Sequence, residues 1–245
     1  MKIVQLTDLH IGLEGQETFG VDVRGNFLKA LEALRAEPPD HLVVSGDLCF
    51  QTGDREVYQW IGEQLRDFPS QVWWMAGNHD DPAEMARVYG LEDSMKGTDL
   101  CYTARLGEMD WVFLDTSSYE VSEAQQGWLR SVIAGREGPL YVFMHHPPAL
   151  VGVPFMDQRY PLRNWAQMQD IFLGYPDQVW VFSGHYHVEK SVHLKNLHIF
   201  VTPSTFFQIG QSSPEFQVDH YRIGWREMVW EDGLFQTTVR YIDPV

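Results

Sequence analysis

Cysteine is nearly absent. Only Cys49 and Cys101 occur in 245 residues, which excludes a disulfide framework and leaves no Cys-based zinc site. Cys49, two residues after Asp47, reads as a small buried thiol. Basic residues are also few: 18 Lys and Arg stand against 34 Asp and Glu, a formal charge of −16. A surface this acidic repels a phosphate backbone, so no nucleic-acid polymer is expected as a partner. A small anion remains admissible, because bound cations would govern the field inside a pocket. No apolar run approaches the roughly 20 residues of a membrane span. Residues 1–6 lack the apolar stretch of about 7–15 residues that a secretory signal needs. No membrane association and a cytoplasmic location are therefore expected. Low-complexity tracts, internal repeats and Pro- or Gly-rich linkers are missing too, so residues 1–245 are expected to form one domain.

What is present can build a core: hydrophobic residues make up 44% of the chain and charged residues 21%. Lys2–Leu6, His41–Ser45 (HLVVS), Gln71–Met75 (QVWWM), Leu140–Met144 (LYVFM) and Val179–Ser183 (VWVFS) read as buried strands. Helical periodicity covers residues 23–35, with Phe27, Leu31 and Leu34 on one face, and 54–68, with Val57, Trp60, Ile61 and Leu65 inward. Pro82–Tyr89 is a short helix opened by proline. Residues 122–134 form a helix begun by a capping box, Ser122 with Gln125. Strands are expected at 100–105 and 110–115, a helix near 163–173 after a loop at 148–163, and strands at 199–202, 227–231 and 236–241. The alternation of strand and helix implies an α/β fold with parallel pairing and covered sheet faces.

Each of the five buried strands ends in a short polar cluster: Asp8 and His10; Asp47; Asn78 and His79; His145 and His146; His185 and His187. Loops beyond the carboxyl ends of such strands converge on one crevice. Imidazole, carboxylate and amide oxygen together suit divalent Mn, Fe or Zn. Asp8/His10 and His185/His187 are chelating pairs at i and i+2, and a carboxylate such as Asp47 has two oxygens with which to bridge two ions roughly 3.5–4 Å apart. Gly46, Gly77 and Gly184 each directly precede a candidate donor and allow a sharp turn or close approach. Two divalent ions, offset by two carboxylates and a bridging hydroxide, leave a small positive charge that suits a phosphodiester monoanion. A water held between the ions is acidified enough to attack phosphorus as hydroxide. A lone histidine after a strand is ordinarily structural; five such clusters in order are not. His41, His193, His198 and His220 fall outside them. His146 either lines the pocket or supports it.

The series Asp8-x-His10, Gly46-Asp47, Gly77-Asn78-His79-Asp80, His145-x-Pro147 and Gly184-His185-x-His187 resembles the calcineurin-like metallophosphoesterase pattern. The likeness is closest to its bacterial class III cyclic-nucleotide phosphodiesterases, through Trp128-Leu129, Asp157, Leu162-Arg163-Asn164, Thr202-Pro203-Ser204-Thr205 and Gly224-Trp225-Arg226. It implies a four-layer αββα sandwich, two mixed β-sheets flanked by helices. It also implies two metals, one on Asp8, His10, Asp47 and His187 and the other on Asp47, Asn78, His145 and His185. His79 would act on the substrate side, stabilising the phosphorane or protonating the leaving alkoxide. Many relatives place an aspartate three residues after the bridging one to orient that histidine; here the position is Phe50, and Asp80 is the substitute considered. The implied reaction is hydrolysis of 3′,5′-cyclic AMP to 5′-AMP. The alternative is a broader phosphodiesterase acting on glycerophosphodiesters, 2′,3′-cyclic nucleotides or other small diesters. The pocket would add His10, Asn78, His79, His146, Met156, Asp157 and Asn164 to substrate binding. A homodimer is considered by analogy only. A metal-free binding scaffold is disfavoured, because all seven donors are present, and a nuclease because no basic track is.

Overall fold

The computed structural model describes residues Met1–Val245. In chain order the elements are β1 (Lys2–Leu6), α1 (Val23–Ala36), β2 (His41–Ser45), α2 (Arg55–Leu65), β3 (Gln71–Met75), α3 (Pro82–Tyr89), the short pair β4 (Met95–Lys96) and β5 (Asp99–Leu100), and β6 (Tyr102–Leu106). They continue with β7 (Met109–Leu114), α4 (Glu123–Ile133), β8 (Leu140–Met144), α5 (Pro154–Arg159), α6 (Trp165–Leu173), β9 (Val179–Ser183), β10 (Lys190–Leu194) and β11 (Leu197–Val201). A short pair, β12 (Gln208–Ile209) and β13 (Val218–His220), precedes the hairpin β14 (Ile223–Glu231) and β15 (Leu234–Ile242).

Two sheets carry the fold, ordered β15-β14-β1-β2-β3 and β10-β11-β9-β8-β7-β6. The strands expected to pair in parallel do so, β1 with β2, β2 with β3, and β8 with β9. Antiparallel strands close every edge but that of β3, so both sheets are mixed. The sheets face one another through aromatic side chains: Trp111 meets Trp230 edge-on at 5.7 Å, and Trp180 meets Phe235 at 4.9 Å. Rings of this size bury much apolar area each, and edge-to-face geometry suits their quadrupoles. With helices outside, the result is the αββα sandwich.

Local chemistry explains where the elements stop. Asp54 caps α2 by accepting from Glu56 N, and the helix ends at Leu65 rather than 68 because Pro69 disfavours helical backbone before it. Tyr58 takes the fully buried place on α2 expected of Trp60, which instead packs half-buried against Phe27 and beneath the Arg24 guanidinium. The capping box of α4 is only half made. Ser122 Oγ accepts from Gln125 N, but the Gln125 amide turns inward, accepting from Asp115 N at 2.7 Å and donating to Asp115 O at 2.9 Å. Strand β14 runs four residues further toward its start than expected, taking in Arg226, which is buried. Its guanidinium donates to Val201 O, Thr202 Oγ1 and Thr237 Oγ1, so no buried donor goes unpaired there. No helix is long and apolar enough to cross a membrane.

Candidate functional site

The polar clusters meet because the ladders continue past the strand ends. Beyond β1 and β2, Asp8 N donates to Gly46 O at 3.0 Å, His10 N to Asp47 O at 2.9 Å and Ile11 N to Leu48 O at 2.8 Å. In the second sheet Gly184 N donates to His145 O at 3.0 Å. The two sheets are joined at this seam: His145 Nδ1 reaches Ser45 O at 2.9 Å, and His185 N donates to the Asp8 carboxylate at 3.0 Å.

The backbone is strained there. Asp8, His10, Asp47, His185 and His187 all have positive φ, between 48° and 66°. For residues with a Cβ this region is costly, on the order of 1 kcal/mol or more each, and persists where surroundings enforce it. Side chains at i and i+2 already share a face in a strand, and the turn at the strand end aims such a pair at a common centre. The glycines serve two ends. Gly46 itself turns, with φ 99°. Gly77 and Gly184 do not; a Cβ there would collide with Asp47 and with Thr7 and Asp8 respectively.

Two donor clusters, Asp8, His10 and His187, and Asp47, His145 and His185, are linked by a third group, His10, Asp47 and His79; within each the ligating atoms lie within 4.8 Å of one another. His10 Nε2 and His187 Nε2 are 3.0 Å apart, and His187 Nε2 is 3.3 Å from Asp8 Oδ1. Asp47 Oδ2 lies 3.8 Å from His10 Nε2 and 3.3 Å from His145 Nε2. Its other oxygen, Oδ1, accepts from His79 N at 2.9 Å. One oxygen of Asp47, rather than two, thus stands between the clusters.

Ring orientation is fixed from behind. His145 Nδ1 faces Ser45 O, His187 Nδ1 faces Phe207 O, and His185 Nε2 faces Tyr160 O, each at 2.9 Å. A ring nitrogen facing a carbonyl carries the hydrogen, leaving the other nitrogen's lone pair bare. Burial drives His10 and His185 down to about 3, so both are neutral near pH 7. Burial also opposes charge on His145, yet Asp47 and Asp8 outweigh it and raise the imidazole to about 9. Burial likewise pushes Asp8 up, but His187 and His145 prevail and leave it at about 2.

These residues fit a pair of divalent cations on chemistry and on satisfaction. Asn78 Oδ1 is buried with no hydrogen-bond partner. An orphaned buried acceptor costs about 1–3 kcal/mol, a penalty that a cation on its lone pair removes.

The other expected residues divide. His79 and Met156 line the same cavity as the donors, a space of about 580 Å³. His79 Nδ1 faces Gln51 O at 2.9 Å, so a backbone carbonyl supports its ring where Asp80 was the substitute considered. Asp80 is turned away: its carboxylate accepts from Gly77 N, Leu48 N and Tyr58 Oη, and burial together with Asp47 raises it to about 6. Phe50 walls the cavity instead. His146 is fully buried beneath the floor, bonded to Thr116 Oγ1 at 2.8 Å, with its ring 4.0 Å from that of His185; it supports the site and does not line it. Asn164 lies outside the cavity, its amide accepting from Val121 N and donating to Val121 O. Asp157 also lies outside. It organises the turn into α5, accepting from Val151 N, Gly152 N, Val153 N and Tyr186 Oη at 2.8–3.0 Å. Asp157→Ala strips partners from several amides at once and is expected to cost about 2 kcal/mol, lowering Tm by roughly 4–8 °C. A melting curve matching the parent's would show those bonds to be idle.

Sequence reasoning missed the aromatic side of the cavity: Phe19, Tyr119, Phe155, Tyr160, Phe206, Phe207 and Phe216. They come from scattered loops and the short helix α5 and leave no periodic signal. A groove of similar size between α2 and α3, lined by Gln59, Glu63, Trp74 and Tyr89, carries no donor cluster. Both cysteines are buried and free, and burial pushes the Cys49 thiol up.

A family model described as calcineurin-like phosphoesterase matches residues 1–189. A Fibrobacter succinogenes protein named a probable cyclic nucleotide phosphodiesterase is 33% identical over 241 residues, 98% of this chain and 94% of its own. The Escherichia coli 3′,5′-cyclic adenosine monophosphate phosphodiesterase CpdA is 29% identical over 251 residues, 98% of this chain and 89% of its own. In fold, a dimetal phosphatase from Danio rerio superposes with a TM-score of 0.73 at 11% identity, over 100% of this chain and 97% of its own. By its sequence, its two-sheet sandwich and the donors gathered at the seam, the chain belongs to the calcineurin-like phosphoesterase family.

Proposed function

We propose that the chain hydrolyses 3′,5′-cyclic AMP to 5′-AMP. The observation that carries the reading is the convergence of seven donors, Asn78 Oδ1 among them orphaned, beside a cavity that accepts a small diester. The named cyclic-nucleotide phosphodiesterases at 29–33% identity support the choice of substrate. Asp8, His10, Asp47 and His187 would hold one cation and Asp47, Asn78, His145 and His185 the other. Two divalent cations there supply positive charge to the phosphoryl oxygens and acidify a water toward neutral pH. Asp47 would belong to both sets, its Oδ2 facing His10 and His145 while its Oδ1 is held by His79 N. His79, braced by Gln51 O, directs Nε2 into the cavity and protonates the departing 3′ oxygen as the P–O3′ bond breaks.

The test is a panel of cyclic AMP, cyclic GMP, 2′,3′-cyclic AMP and glycerophosphodiesters with Mn²⁺-loaded protein. Turnover of cyclic AMP is expected; turnover of a chromogenic diester alone would overturn the reading.

His145 gives a second check. With its folded value at about 9 it is protonated at pH 7 in metal-free protein. A cation must displace that proton, so apparent affinity should rise about tenfold per pH unit from 7 toward 9. Adding Mn²⁺ to stripped protein in a pH-stat at pH 7 should release close to one proton per chain. An affinity flat across that window would contradict the assignment of His145.

A further inference from the structure

The mechanism above leaves half of the cavity unused. Four aromatic side chains of the chain are exposed, Phe19 at 69%, Phe216 at 50%, Tyr221 at 48% and Tyr160 at 40%. Phe19, Phe216 and Tyr160 all line this one cavity. A single exposed ring is ordinary, whereas rings gathered at one mouth mark a surface that receives something apolar. Phe19 is kept there at a cost in backbone conformation: its φ is 53°, unusual for a bulky residue. Its loop is pinned by the Arg24 guanidinium on Gly12 O at 3.0 Å and by Thr18 Oγ1 on Val21 O at 2.6 Å.

The rings form a continuous wall. Phe206 lies 5.2 Å from the His10 ring; Phe19 is nearly parallel to Phe206 at 6.2 Å and edge-on to Phe50 at 5.3 Å. The wall therefore runs from the donor cluster to the rim. The lining includes no Arg, Lys, Gln, Glu, Ser or Thr. Apart from the donors and His79, its only polar side-chain groups are the hydroxyls of Tyr119 and Tyr160.

We infer that the exposed ring of Phe19, backed by the buried Phe50 and Phe206 and with Phe216 at the rim, forms a stacking subsite for the nucleobase that reads the face of the ring and leaves its edge unread. The inference rests on the cyclic-nucleotide reading above and deepens it. Every base has a π-face, so stacking tolerates any of them, and a site lacking edge-directed side chains cannot penalise the exchange of an amino group for a carbonyl. Adenine and guanine are accepted alike.

Two measurements test this. With Mn²⁺-loaded enzyme, kcat/KM for cyclic AMP and cyclic GMP should agree within about fivefold, since stacking discriminates weakly. Phe19→Leu, which keeps apolar bulk and removes the ring, should raise KM for both about tenfold with little change in kcat, and Phe19→Trp should restore it. A preference beyond about 100-fold for one base, or an unchanged KM in Phe19→Leu, overturns the subsite. With metal-stripped protein, ligand-observed NMR should detect adenosine and inosine binding, both weakened by Phe19→Leu; nucleosides that bind the variant equally well also overturn it. If cyclic nucleotides are not turned over at all, the proposed substrate fails, while the nucleoside measurement still decides the subsite.

Discussion

Asp47→Asn is expected to lower kcat/KM for the diester by at least about 10³-fold and to leave the protein with fewer than two equivalents of Mn²⁺. Removing one preorganised electrostatic group from an active site typically costs about 10²–10³ in rate. Asp47 should exceed that, because its Oδ2 faces both donor clusters. The substitution is close to isosteric, and the amide oxygen can still accept from His79 N, so the loop after β3 keeps its anchor. The amide nitrogen would then face the imidazoles, offering no charge and no lone pair. Metal content by mass spectrometry, together with kcat/KM and a circular dichroism spectrum like the parent's, checks the prediction. Near-full activity in this variant would remove the shared-carboxylate mechanism.

His79→Ala should lower kcat for cyclic AMP by about 10²–10⁴-fold, the range typical of a general acid. The backbone N–H of residue 79 remains to bond Asp47, so the donor cluster is preserved and the loss reports on the imidazole. The leaving group separates this role from mere positioning. A ribose 3′ alkoxide must be protonated as it departs, whereas 4-nitrophenolate leaves without help. Activity on bis(4-nitrophenyl) phosphate should therefore fall far less, by under about tenfold. Equal losses on both substrates would rule out proton donation by His79.

The legible part of this protein is the part governed by local pattern. Five short apolar runs, each closed by a polar cluster, occupy the strands β1, β2, β3, β8 and β9 to the residue. Their parallel pairing places the clusters on one edge, which is why spacing alone could nominate the donors. What stayed illegible depends on contacts remote in sequence. Helix α5 is six residues long and is organised by the Asp157 carboxylate, so no periodicity announces it. Arg226 looks like surface and is core, because its three acceptors come from β11, the residue after it and β15. Asp157 and Asn164 carry the side chains of substrate readers, yet backbone amides and carbonyls at 121 and 151–153 consume them. The support for His79 is a main-chain carbonyl, to which side-chain identity at position 51 gives no clue.

The seam has a consequence for how the molecule is put together. Asp8, His10, Asp47 and Asn78 follow strands of one sheet, and His145, His185 and His187 follow strands of the other. On the proposed assignment neither cation can be fully coordinated until both halves have formed and docked. Cation availability thereby becomes a folding variable: each ion at about 100 times its Kd would add about 2.7 kcal/mol to the assembled state and nothing to either half alone. The residues that would hold the cations are also those that join the two sheets, so metal starvation should loosen the architecture along with the chemistry.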